Sequence, residues 1–357
     1  MLYSFKPLRH IHTVVIGAGP TGLAASYLLK EQGIQHVVLE QSNVVASHWH
    51  HLWDNYQLAM PADKVEMPGV DVGKLFGEKK HPSRDEMIRF FKWYADRFAL
   101  PVCYQNKVEN VRHSGDGKFI VTTNQFSYNC ENVISCIGPR QTPKWPEAAI
   151  KLKDRGHPFI LHSSEYRSSA VFPSGRVLVV GSGASALSIA MDIHNQGLFV
   201  DIACAYSQED IVSRNQHLYE ASTTDVVPTL NGLLKRNIKN EGRLLNVLNN
   251  DLLFKKDDKL QLIPVQSYGA IVFATGFDRS LKVLDELLSG LSVYGPAQQN
   301  GVSDIPGLYI AGQPHQDQET VIISDGTRQA REIVAKITQE TQCQEMVARP
   351  SRLVAKL

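Results

Sequence analysis

Twice along this chain an apolar, β-branched run ends on a glycine loop from which a helical pattern starts. His12-Thr13-Val14-Val15-Ile16 enters Gly17-Ala18-Gly19-Pro20-Thr21-Gly22, and Arg176-Val177-Leu178-Val179-Val180 enters Gly181-Ser182-Gly183-Ala184-Ser185-Ala186. In the first case the periodicity predicts a helix from Leu23 to Gln32, a stop at Gly33 and a strand over His36–Glu40. In the second it predicts a helix from Ala186 to Asn195, a stop at Gly197 and a strand from Phe199 to Ala205. Each is a βαβ unit, whose strands run parallel because the helix carries the chain back across the sheet. Two such units on 357 residues point to an α/β fold with two Rossmann-like dinucleotide-binding domains.

A helix that begins where a strand ends aims its free backbone N–H groups and the positive end of its dipole at one point, and a pyrophosphate is the matching anion. Gly17 permits the tight turn, Gly19 lets the backbone approach phosphate, and Gly22 packs helix on strand. Glu40 closes the next strand about twenty residues on, where a carboxylate accepts hydrogen bonds from ribose hydroxyls. In the second loop Ala186 takes the third glycine position, a variant that still allows close packing. The strand after it runs into Cys204-Ala205-Tyr206-Ser207, with neither a carboxylate for a ribose diol nor an arginine for a 2′-phosphate. The choice between NADH and NADPH is thus weakly encoded, with Arg214 or a main-chain group left to make it. At either loop the alternative is a glycine turn that binds nothing.

Composition narrows the partners. The formal net charge is +1, with Lys and Arg spread along the sequence, so no basic face is offered to nucleic acid or anionic lipid. No stretch is apolar over the ~18 residues of a membrane span, and the N-terminus reads as neither signal peptide nor anchor. Cys103, Cys130, Cys136, Cys204 and Cys343 are odd in number and far apart, which suits free thiols in a reducing cytoplasm. Elsewhere, Asp85 to Phe98 reads as an amphipathic helix, Val102 and Phe119–Val121 as strands, Ala270–Phe273 and Gly307–Ala311 as further strands, and Asp325–Thr338 as the last helix.

Beyond the glycine loops, several signatures follow in order. They are Trp49, Trp53-Asp54-Asn55-Tyr56-Gln57-Leu58, Pro61, Met67-Pro68-Gly69, Pro82-Ser83-Arg84-Asp85-Glu86 and Ile134-Ser135-Cys136-Ile137-Gly138, then His162-Ser163-Ser164-Glu165-Tyr166, Ala274-Thr275-Gly276-Phe277 and Gly307-Leu308-Tyr309-Ile310-Ala311-Gly312. With them the chain resembles the flavin-containing monooxygenases, class B flavoprotein monooxygenases of the compact bacterial and YUCCA-like type, over roughly residues 12 to 338. It departs from the pattern in three places. Gly156 and Pro158 fall where the family fingerprint has a phenylalanine and a glycine, Ser47-His48 replace paired glycines, and Gln313 stands where the related disulfide reductases have an acid.

The resemblance implies FAD at the first loop and NADPH and/or NADH at the second, with the nicotinamide domain inserted in the FAD domain. The expected boundaries are 1–165 and 269–340 for FAD, 166–268 for NAD(P)H, and a flexible tail at 341–357. It implies cofactor contacts from Gly17, Gly19, Pro20, Thr21, Gly22, Glu40, Gln41, Trp49, Leu58, Gly138, Thr275, Gly276 and Gly312, and from Gly181 through Ala186. His162 and Tyr166 read either as a linker holding the domains and the nicotinamide in register or as a plain polar contact. Catalytic candidates are Trp49, Asn55 and Asp325, the last on a helix start aimed at the flavin or simply an N-cap. Trp49, Trp53 and Tyr56 shelter the flavin or fill the core.

His48, His50 and His51 alternate with Trp49 and offer poor metal geometry, so no metal is expected. No Cys-x-x-Cys is present for a dithiol relay.

The expected activity is that of a monooxygenase that forms a flavin C4a-hydroperoxide and oxygenates a small soft nucleophile or a ketone. An NAD(P)H oxidase, an electron-transfer flavin reductase, or a non-catalytic flavin-binding sensor are the alternatives. Small-molecule substrate and O₂ are the expected partners, a homodimer stays open, and specificity falls to the loops Leu218–Leu234 and Gln313–Ile323.

Overall fold

A computed structural model describes residues 6–207 apart from 158 and 174, then 210, 211, 213, 238–278, 281–288, 303, 305–313 and 323–348. The first βαβ unit comprises β1 (Leu8–Ile16), α1 (Pro20–Glu31) and β2 (His36–Leu39). Pro20 sits in the first turn of α1, where a missing N–H costs nothing. All of β2 is buried, as in a strand covered on both faces. A capping box opens α2 (Arg84–Arg97): Glu86 N donates to Ser83 Oγ while Ser83 N donates to the Glu86 carboxylate. Then come β3 (Val102–Cys103), β4 (Val108–His113), β5 (Phe119–Thr123) and β6 (Ser127–Ser135).

β7 (Thr142–Pro143) leads into the second domain, which holds β8 (Ile160–His162), β9 (Arg176–Val180), α3 (Ala184–Asn195), β10 (Phe199–Ala203) and β11 (Lys239–Asn240). An antiparallel meander of β12 (Arg243–Leu248), β13 (Asp251–Lys256) and β14 (Lys259–Pro264) precedes β15 (Ala270–Phe273). β16 (Phe277–Asp278) returns antiparallel to β7, and β17 (Leu308–Ile310) and α4 (Ile323–Ala348) complete the first domain.

The first sheet has the order β3-β2-β1-β6-β5-β4, parallel from β3 to β6, with β17 parallel to the C-terminal half of β6. The second is wholly parallel in the order β8-β15-β9-β10-β11. This topology moves the expected boundaries. β8 and β15 pair within the second sheet, so the crossovers fall at 142–143 and 277–278 rather than at 165 and 268. Sequence pattern marks a buried strand but not the sheet that accepts it. The last helix also continues through Ala348, past the expected start of the tail at 341. α4 lies against α1 at Gly326, where a Cβ would stand 2.1 Å from Thr21 Oγ1. Among the described residues no helix is long and apolar enough to cross a membrane.

Candidate active site

The two glycine loops repeat one geometry. β1 and β9 end on Gly17 and Gly181, at φ +99° and +140°. Close approach demands glycine at both positions: an added Cβ would stand 2.7 Å from the Cys136 carbonyl oxygen at Gly17 and 2.4 Å from that of Ala274 at Gly181. Those carbonyls follow β6 and β15, the strands across the topological switch of each sheet, where a crevice opens beyond the carboxyl ends. Gly22 is held by a second close approach, its Cβ position lying 1.9 Å from Gly17 O. Gly19 and Gly183 are the N-caps of α1 and α3, at φ −75°, ψ 179° and φ −81°, ψ 178°, and no side chain caps either helix. The first N–H groups of both helices are thereby left for a ligand. Glu40, buried at the tip of β2, is fixed at the first loop: Ala18 N and Ser42 N each donate to its carboxylate at 2.9 Å.

A cavity of about 690 Å³ connects the two helix starts, within the usual size of cofactor and ligand sites. Gly17, Gly19, Pro20, Thr21, Glu40, Gln41, Leu58, Gly138 and Gly312 line it from the first domain, and Ala184 and Ser185 from α3 of the second. Trp49, Trp53 and Tyr56 form an aromatic wall, with Tyr56 edge-on to both tryptophans at 5.8 and 4.9 Å between ring centroids. Both tryptophans are also buried in the main core, so they serve packing and the cavity together.

The same wall carries a pair that sequence pattern did not single out. Arg140 Nη1 donates to His48 Nε2 at 2.9 Å, and both residues line the cavity. Burial and the guanidinium push the His48 imidazole down to about 3, so it is neutral at ordinary pH. Arg140 lies in the loop after β6, with no periodicity to mark it. Its partner lies ninety-two residues away in sequence. Among the described residues no three His, Cys, Asp or Glu side chains are grouped to hold a metal.

Other expected site residues stand behind the wall. His162 is fully buried, its Nε2 bonded to Gly276 O at 3.0 Å and its Nδ1 accepting from Ser164 N at 3.2 Å. Burial lowers its pKa, and the neutral Nε2–H tautomer satisfies both bonds. Thr275 Oγ1 donates to Lys144 O at 2.6 Å and Lys144 N to Gly276 O at 3.0 Å, so the Thr275-Gly276 turn clasps the strand that crosses between domains. Tyr166, also fully buried, donates to Asp192 Oδ2 at 2.6 Å; Asp192 further accepts from Gln196 at 2.7 Å and from Asn55 at 3.1 Å. The arrangement is that of an interdomain brace. Asn55 is exposed and tied to α3, outside the cavity wall. Asp325 likewise lies off the wall and faces Arg328 at 3.5 Å, whereas Ile323 lines the cavity. Gly181, Ser182, Gly183 and Ala186 shape the second loop without lining the cavity. Arg214, Leu218–Leu234 and residues 314–322 fall outside the described residues.

All five cysteines are unpaired. Cys136 lines the cavity, but complete burial pushes its thiol up to about 12.

The profile of the family described as "Pyridine nucleotide-disulphide oxidoreductase" matches residues 14–312. Among curated proteins, the uncharacterized oxidoreductase CzcO of Bacillus subtilis (strain 168) is 28% identical over 356 residues, spanning 91% of this chain and 98% of its own. The probable indole-3-pyruvate monooxygenase YUCCA1 of Arabidopsis thaliana is 32% identical over 187 residues, 51% of this chain and 44% of its own. A flavin-containing monooxygenase from Stenotrophomonas maltophilia shares the fold, with a TM-score of 0.72 at 21% identity over 93% of this chain and 99% of that one.

Proposed function

Because the chain belongs to the pyridine nucleotide-disulphide oxidoreductase family and is thus an oxidoreductase built for flavin and nicotinamide cofactors, we propose that it is an FAD- and NAD(P)H-dependent monooxygenase. It takes one oxygen atom of O₂ into a small sulfur or nitrogen nucleophile or a ketone, the other atom leaving as water with the electrons of one NAD(P)H. The observation that carries this reading is the single cavity reaching the N-termini of both α1 and α3. Two dinucleotides held at those helix starts would share that one cavity.

The residues fit FAD at the first loop. Gly19 has no atom within 4 Å of its Cβ position, leaving room for a pyrophosphate at the free N–H groups of α1. Glu40, held at the loop by Ala18 N and Ser42 N, would accept from the ribose hydroxyls of the adenosine. Leu58, Gln41, Gly138 and Gly312 complete the walls, and Trp49 with its aromatic neighbours excludes water from the ring end. When bound, flavin supplies hydride acceptance from the nicotinamide and activation of O₂. The start of α3 would hold the nicotinamide cofactor, and Cys204 to Ser207 after β10 bring neither a carboxylate that would select NADH nor an arginine that would select NADPH. Asn55 ties the two domains through Asp192, which Tyr166 holds in place, and His162 fixes the turn that precedes the return crossover.

Dithiol chemistry has poor support. It requires a thiolate, and the one thiol on the cavity wall holds its proton up to about 12. Unpaired cysteines favour a reducing cytoplasm.

The reading is tested by mixing flavin-loaded protein anaerobically with NADH or NADPH, then admitting O₂ with a thioether, an amine or a ketone. Bleaching followed by oxygenated product is expected. No bleaching with either nucleotide removes every enzymatic reading; bleaching that yields only hydrogen peroxide with every acceptor leaves an oxidase.

A further inference from the structure

Arg140 is a guanidinium on the wall of a cavity, and among the described residues no carboxylate is within ion-pair distance of it. Its bonded neighbour His48 is neutral, and Tyr56, close enough to feel its charge, is a phenol held protonated by burial. Arg140 is half-buried, and a cation partly shielded from water without a counter-ion carries a cost that is retained where a ligand brings the anion. His48 makes the arrangement specific. An arginine only donates, so Nε2 must accept, which sets the Nδ1–H tautomer and orients the fork while leaving its charge uncancelled. One N–H of the fork is used, and the others remain for a bidentate partner.

The position argues against a phosphate of either nucleotide. The pyrophosphate sites are the starts of α1 and α3. Arg140 lies instead between the end of β6 and the crossover strand β7, on the path from one domain to the other. The same cavity has an apolar and aromatic stretch of wall that includes Leu52, Trp53 and Met60.

Building on the oxygenase reading, we infer that Arg140, oriented by His48, receives a substrate carboxylate, so that the compound oxygenated in this cavity is an organic acid with an apolar body.

The test uses the oxidised, flavin-loaded protein, so that it needs no turnover. Phenylacetate, 3-phenylpropanoate and 4-phenylbutanoate are each titrated against their primary amides, with the visible band of the bound flavin as readout. At least one acid is expected to bind on the order of 100-fold tighter than its amide, and Arg140→Met to erase that difference while leaving the amide unaffected. Arg140→Lys should retain part of it, because the charge survives and the fork does not. Should the methionine variant not fold, raising the salt concentration on the unaltered protein should weaken the acid and spare the amide.

The inference is overturned if no acid outbinds its amide, or if Arg140→Met purifies without flavin, which assigns the guanidinium to the cofactor. It is equally overturned if the variant shifts the flavin midpoint potential but not acid binding. Acid binding in a protein whose flavin NAD(P)H cannot bleach would sink the oxygenase reading and keep the receptor.

Discussion

Gly19→Asp separates the demands of the fold from those of the cofactor. Gly19 is the N-cap of α1 with extended backbone at φ −75°, ψ 179°, a conformation open to any residue, and no side chain caps the helix. Its Cβ position has no atom within 4 Å. Aspartate is at least as good an N-cap as glycine, so the apoprotein should keep its stability or gain a few tenths of a kcal/mol. For the flavin the effect is opposite. A carboxylate placed ~4 Å from a pyrophosphate charge costs about 4 kcal/mol at an effective dielectric of ~20, which is about a thousandfold in affinity. The assay pairs the ratio of visible to ultraviolet absorbance of purified protein, and an FAD titration, with urea unfolding of both apoproteins. Colourless protein with an unchanged unfolding midpoint is expected. A yellow, stoichiometrically loaded variant would refute the placement of the pyrophosphate, and an apoprotein destabilised by more than ~1 kcal/mol would refute the open space at Gly19.

Gly183→Asp at the equivalent N-cap of α3 should leave flavin bound and abolish its anaerobic reduction by NADH and NADPH; normal stopped-flow reduction would show that hydride arrives by another route. Tyr166→Phe removes the 2.6 Å bond to buried Asp192 but leaves Gln196 and Asn55 in place, for an expected loss of about 1–3 kcal/mol in denaturant unfolding. A loss under ~0.5 kcal/mol would mean that the brace carries little energy. His48 is held at about 3 against an ordinary 6.5, so the unfolded chain takes up its proton first. Stability is complete above pH 6.5 and declines as pH falls toward 3, by at most ~1.4 kcal/mol per pH unit before solvent screening. His48→Gln should flatten this acid limb in melting curves, and an unchanged limb would assign it elsewhere. With Cys130 and Cys136 both pushed up to about 12 and Cys343 exposed, a thiol reagent at neutral pH should label Cys343 first and Cys103 more slowly. Rapid labelling of Cys136 in folded protein would contradict its burial.

Local physics made much of this molecule legible in its sequence. A β-branched run, a glycine loop and a helix stop are read within about thirty residues, and both βαβ units formed where the pattern put them, Gly33 and Gly197 included. The tight turn at Gly17 and the close packing at Gly22 were equally readable, because each follows from backbone geometry at one turn.

The domain boundaries were not readable. Ile160–His162 and Ala270–Phe273 look like any buried strand, and only hydrogen bonding across the chain assigns them to the second sheet. Nor could spacing show that Asn55 reaches Asp192 across 137 positions, or that Tyr166 shares that acceptor with it. The Arg140–His48 pair carried no local signal at all. What the sequence determined by itself is the pair of glycine turns that open α1 and α3, since a turn is a short-range object. What tertiary structure alone decided is which side chains share the space between them, because that depends on contacts between segments far apart in the chain.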